Sequence, residues 1–74
     1  MMITIKLFAT FRQGRFKVAE RDVGEETTVA DVLKSLNIEE ADVGTLFVGG
    51  RHVEPDRVLT AGETLAIFPL VGGG

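Results

Sequence analysis

The sequence predicts a two-layer α+β fold, with one helix packed on one face of a mixed sheet. Three observations carry this. Apolar residues alternate with period two near both ends of the chain, one stretch in the middle switches to helical spacing, and no second helical stretch comes after it.

From Met2 to Thr10 the chain alternates, with Ile3, Ile5 and Leu7 on one face and Thr4, Lys6 and Phe8 on the other. That period is a strand. The "RQGR" stretch around Gly14 supplies turn chemistry, and residues 16–23 read as a second strand closing a hairpin. In "GEETTVADVLKSLN" the apolar residues Val29, Val32, Leu33 and Leu36 fall at i, i+3, i+4 and i+7, one face of a helix. Thr28 and Asp31 have the spacing of a capping box, and Asn37 is a suitable stop. The predicted helix is about two and a half to three turns long.

"TLFVGGRHVEP" then reads as two short strands about a tight turn at Gly49 and Gly50, ended by Pro55, which cannot donate to a ladder. After a turn at Gly62, Thr64 to Phe68 forms the last strand, closed by Pro69. A ferredoxin-like arrangement would need a second helix, and between Glu39 and Gly44 there is room for only a single turn. The order therefore points to the β-grasp, the ubiquitin-like roll, in which the first and last strands lie parallel in the centre of the sheet. Residues 1–70 are expected to form this one domain, and residues 71–74 a flexible glycine tail.

Strand parity makes a functional statement. If Ile3, Ile5, Leu7, Leu65 and Ile67 face the helix, Phe8 and Phe68 face away from it. The same logic turns Phe47 outward when Leu46 and Val48 are core, and His52 outward when Val53 is core. Phenylalanines gathered on an uncovered sheet face mark a partner surface, or else cover one another as a minor second core. His52 has no serine or cysteine nucleophile at a recognisable spacing and reads as a surface or interface residue. The Gly49-Gly50 pair lacks the lysine and adjoining helix of a phosphate loop.

Bulk composition narrows the chemistry. The 74 residues make one small domain with little room for an internal site, and eight scattered cations with a net charge of −3 argue against nucleic acid. No apolar run is long enough to span a bilayer, and the alternating start is unlike a signal peptide, so a cytoplasmic protein without a membrane partner is expected. With no cysteine and one histidine, neither a thiolate nucleophile nor a metal site is expected, and no bound cofactor.

The last three residues, Gly72, Gly73 and Gly74, come shortly after the last strand. A free α-carboxylate there is the one reactive group this chain presents far from its own bulk. To be activated as an acyl adenylate it must enter a narrow channel, which glycine's freedom of backbone path allows. Val71, Gly72 and Gly73 would thread into the partner while Phe8 and Phe68 dock.

"MITIKLFATFR", "TTVADVLKSL", "VGGRHV" and "LTAGETLAIFPLVGGG" together resemble the small subunit of molybdopterin synthase, related to the thiamin-pathway sulfur carriers. The resemblance runs over nearly the whole chain. Its most specific parts are Phe68-Pro69 shortly before a terminal glycine pair and the "FAT.R" of the first strand. It implies that an ATP-using, ubiquitin-activating-type enzyme adenylates Gly74, and that sulfur transfer converts the adenylate to a thiocarboxylate. The acceptor would be the molybdopterin synthase large subunit or another sulfur acceptor. The resemblance also implies that Phe8 and Phe68 pack against these partners, with Phe47, His52 and Pro69 in the same partner-binding set. His52 stands where the family usually has an apolar residue, and Leu70 where it has a second proline. A thiamin-pathway carrier, a protein modifier joined to lysines through Gly74, and a plain interaction domain with inert glycines are the alternatives. In none of these is the chain an enzyme by itself; it is a cosubstrate or a subunit.

Overall fold

A computed structural model describes residues 1–70. The five strands are β1 (Met2–Leu7), β2 (Val18–Asp22), β3 (Val43–Val48), β4 (Arg51–His52) and β5 (Thr64–Pro69), with one helix, α1 (Val29–Ser35). They form one sheet in the order β2-β1-β5-β3-β4. β1 and β5 are parallel and flanked on both sides, while the β1–β2, β3–β5 and β3–β4 pairs are antiparallel. This is the β-grasp roll. Among the described residues no helix is long and apolar enough to cross a membrane.

The core obeys the parity of the strands. Ile5 pairs with Leu65 and Leu7 with Ile67 across the parallel ladder, and these four with Ile3, Leu46 and Val48 are buried against Val29, Val32 and Leu33 of α1. α1 covers seven residues, about two turns, and is shorter than its apolar spacing predicts. Its start is a complete capping box: the Thr28 hydroxyl accepts from the Asp31 amide at 3.2 Å, and the Thr28 amide donates to Asp31 Oδ2 at 2.9 Å. Those hydrogen bonds hold the Asp31 carboxyl below its usual pKa. At the other end Asn37 takes a φ of 58°, with Asn37 N–H on the Lys34 carbonyl and Ile38 N–H on that of Leu33. This left-handed stop cuts the helix before its third turn.

β1 ends at Leu7, three residues short of the expected Thr10. Ala9 adopts a φ of 52°, and residues Ala9–Arg12 wind into a 3-10 turn that carries Phe11 into the core. β2 is likewise shorter than residues 16–23; Phe16 and Val23, just outside it, pack against the core, and Val23 still exchanges backbone hydrogen bonds with Met1, at 2.7 and 2.8 Å. Arg15 ties this N-terminal hairpin to the helix: its guanidinium donates to the carbonyls of Leu36 at 2.9 Å, Phe11 at 3.2 Å and Asn37 at 3.2 Å.

Gly49 and Gly50, with φ of 57° and 80°, make the tight turn between β3 and β4. The long connection to β5 buries Leu59 and is closed by a two-pronged Arg57–Glu63 ion pair, with Nη2 to Oε2 at 2.8 Å. The Thr60 amide also donates to Glu63, at 2.7 Å. Hydrogen bonding from Arg57, in the first place, lowers the Glu63 pKa from its ordinary 4.5 to about 2. Where β3 meets the end of β5 the register shifts: Val43 pairs with Pro69 and Thr45 with Phe68, leaving Gly44 as the extra residue of a bulge.

Candidate functional site: an aromatic sheet face beside the end of the last strand

The face of the sheet away from α1 is built by the other parity. β1 presents Thr4 and Lys6 and runs on to Phe8. β5 presents Thr64, Ala66 and Phe68; β3 presents Thr45 and Phe47; and His52 of β4 stands opposite Phe47. Among the described residues no second layer covers this face. Parallel pairing of Leu7 with Ile67, continued by the Phe8 amide on the Ile67 carbonyl at 3.2 Å, brings Phe8 level with Phe68.

The rings form one cluster. Phe8 and Phe68 stack with centroids 4.0 Å apart and planes at 10°, and Phe47 meets Phe68 edge-on at 5.8 Å. His52 meets Phe47 edge-on at 6.3 Å. The two edge-on contacts lie within the favourable range for aromatic pairs, and the Phe8–Phe68 stack is closer still. The three phenylalanines are half-buried and His52 is exposed. They cover one another in part and still offer an apolar surface outward.

Ala66, with only a methyl group, lies between the larger side chains and leaves a shallow hollow of about 380 Å³ lined by Lys6, Phe8, Phe47, Thr64 and Phe68. A second, smaller hollow beside Phe8 is lined by Lys6, Arg12 and Lys17. The Arg12 guanidinium lies 5.3 Å from the Phe8 ring centroid, while its Nε donates to the Leu7 carbonyl at 2.7 Å. Among the described residues no aspartate or glutamate lines either hollow, although the chain has eleven of them. The aromatic surface is therefore flanked by positive charge on a chain whose net charge is −3.

Phe8, Phe47, His52 and Phe68 are thus brought together as parity requires. Pro69 is placed differently: it ends β5 opposite Val43, half-buried, and takes no part in the ring cluster. Leu70 is exposed, and its amide donates to the Asp42 carbonyl at 2.8 Å. Val71, Gly72, Gly73 and Gly74 lie outside the described residues. Lys6 shares the parity of Phe8, whereas Arg12 and Lys17 escape strand parity because both sit in the connection after β1; the signal for them is their spacing around Phe8. Among the described residues no group of three His, Cys, Asp or Glu side chains is arranged to hold a metal ion.

Comparison with known proteins gives one family match and many similar folds. The ThiS family matches residues 5–74. Among solved structures, the HVO 2177 protein of Haloferax volcanii is 30% identical, covering 100% of this chain and 87% of that one, with a TM-score of 0.81. A protein from Pyrococcus furiosus, named as subunit 1 of a molybdopterin converting factor, is 28% identical over 96% of this chain and 99% of its own, with a TM-score of 0.77. SAMP1 of Haloferax volcanii, a small archaeal modifier protein, is 27% identical over the whole of both chains, with a TM-score of 0.76. No significant match was found among curated protein sequences.

Proposed function

The chain belongs to the ThiS family of small ubiquitin-like sulfur carriers, and from that premise we propose that Gly74 carries the sulfur as a thiocarboxylate. The observation that carries the reading is the outward aromatic cluster of Phe8, Phe47 and Phe68, to which the strand that leads into residues 71–74 contributes Phe68. A docking surface joined through Phe68 to the strand that leads to the reactive end is what delivery of a bound group requires.

In this reading an ATP-using, ubiquitin-activating-type enzyme docks on the aromatic face while Val71, Gly72 and Gly73 thread into its site. The Gly74 carboxylate attacks the α-phosphorus of ATP and pyrophosphate leaves. A hydrosulfide equivalent then attacks the acyl carbon, AMP departs with the original oxygen, and –COS⁻ remains. The sulfur acceptor is the large subunit of a molybdopterin synthase, acting on the pterin precursor. The chain binds no cofactor of its own and catalyses nothing alone; it serves as cosubstrate and subunit.

Intact mass after incubation with the activating enzyme, ATP and a sulfur source tests this. The expected gain is that of one oxygen-to-sulfur exchange, absent when Gly74 is deleted; an unchanged mass with a competent enzyme rejects the reading. The likeness to SAMP1 favours a second reading, in which the same adenylate is transferred to lysines of other proteins. Isopeptide-linked species of higher mass in cells would select it.

A further inference from the structure

The strand that leads into residues 71–74 is held at its end by the backbone of its neighbour. Pro69 pairs with Val43, and the Leu70 amide donates to the Asp42 carbonyl at 2.8 Å. Beside these two contacts lies Gly44, the extra residue of the β3 bulge. A Cβ on Gly44 would stand 2.6 Å from the Pro69 carbonyl oxygen and 3.0 Å from both the Pro69 carbonyl carbon and Leu70 Cα. All three are backbone atoms, which cannot swing aside as the end of a side chain can. Gly44 is not among the positive-φ glycines, so proximity and not dihedral angle requires glycine here. Bulges of this kind bend a strand and re-aim the residues around them.

We infer that Gly44 is a positioning residue for the reactive segment: by letting β3 approach so closely, it sets the point and direction at which the chain leaves the sheet. The inference rests on the thiocarboxylate reading, in which Gly74 must reach an enzyme's reaction centre while the aromatic face stays docked. Four residues beyond Leu70 extend at most about 14 Å. With so short a reach, the place where the segment begins decides where it can end. Any residue larger than glycine must part Pro69 from β3 by about 0.8 Å, from 2.6 to 3.4 Å, to reach ordinary contact. A misplacement of that size at a reacting group can cost about 10²-fold in rate. Because four intervening residues absorb part of it, the expected loss in kcat for Gly44→Ala is about tenfold.

The test uses the full chain in two measurements. First, amide exchange in the unsubstituted protein is expected to show Leu70 protected by its bond to Asp42; an unprotected Leu70 overturns the inference without any variant. Second, pyrophosphate release by the activating enzyme is measured against carrier concentration for Gly44→Ala and for Val32→Ala, a core change on α1 outside the β3–β5 ladder. Gly44→Ala is expected to expose the Leu70 amide, to leave KM within about twofold because the aromatic cluster is intact, and to lower kcat about tenfold. Val32→Ala is expected to lower the melting temperature and leave kcat unchanged. Equal kcat for Gly44→Ala and the unsubstituted chain, or an equal loss in both variants, overturns the positioning role alone. No pyrophosphate release from the unsubstituted chain overturns the thiocarboxylate reading, and this inference with it.

Discussion

Phe8, one residue beyond β1, and Phe68, on β5, lie face to face with ring centroids 4.0 Å apart, the closest aromatic contact among the described residues. The stack exists because two parallel central strands run in register to their ends. It fixes both rings in orientation and leaves them half-buried, so in the proposed docking less order has to be imposed on them.

Phe8→Ala should weaken docking far more than folding. The ring is half-buried, and removing a rigid aromatic anchor from an interface typically costs about 2 kcal/mol or more. KM for the carrier in the adenylation assay is expected to rise at least about tenfold, with kcat little changed. Unaltered KM would show that the enzyme binds elsewhere.

Phe11→Ala should have the opposite character. Its ring lies in the core, held there by the 3-10 turn after β1. Deleting it should cost about 3–5 kcal/mol, comparable with the whole stability of a small domain. Urea denaturation monitored by circular dichroism is expected to show a large fall in the midpoint, or an unfolded chain.

Arg15→Ala removes the donor shared by three carbonyls at the end of α1 and in the 3-10 turn. The expected loss is about 1–2 kcal/mol, read as a shift in urea midpoint. Arg15→Lys should not restore it, because an ammonium cannot reproduce the planar fork that meets Leu36, Phe11 and Asn37 together. Full rescue by lysine would reduce the contact to a simple charge effect.

Acid stability should depend on Glu63. Its folded pKa, about 2, lies below its ordinary 4.5, so the stability it contributes is complete above about 4.5 and is lost as pH falls towards about 2. Asp31, also lowered, adds in the same direction. Melting temperatures of Glu63→Gln and the unsubstituted protein should therefore differ most at neutral pH and converge in acid. A constant difference down to about pH 2 would assign the effect to something other than the Arg57 pair.

Period-two alternation made the core face and the aromatic face legible in the sequence, because parity is a local property; the parallel pairing of β1 with β5 was legible only through the order of the elements and the room for a single helix. Capping chemistry did the same for Thr28 and Asp31. What escaped depends on residues remote from one another. Ala9 carries no turn signature, so the alternating stretch reads as strand through Thr10 and leaves Phe11 unassigned. Arg15 finds its carbonyls on a helix far along the chain, and Gly44 is required by the backbone of Pro69. Neither contact leaves a mark in the neighbouring sequence.

The central position of β5 makes it the strand on which the whole sheet depends. Because β5 lies between β1 and β3, the earlier strands β1 and β3 have no direct ladder to one another. The β1–β2 and β3–β4 hairpins are therefore joined into one sheet only through β5. A chain truncated before β5 would leave the inner edges of β1 and β3 unpaired, as two separate hairpins of a kind only marginally stable in water.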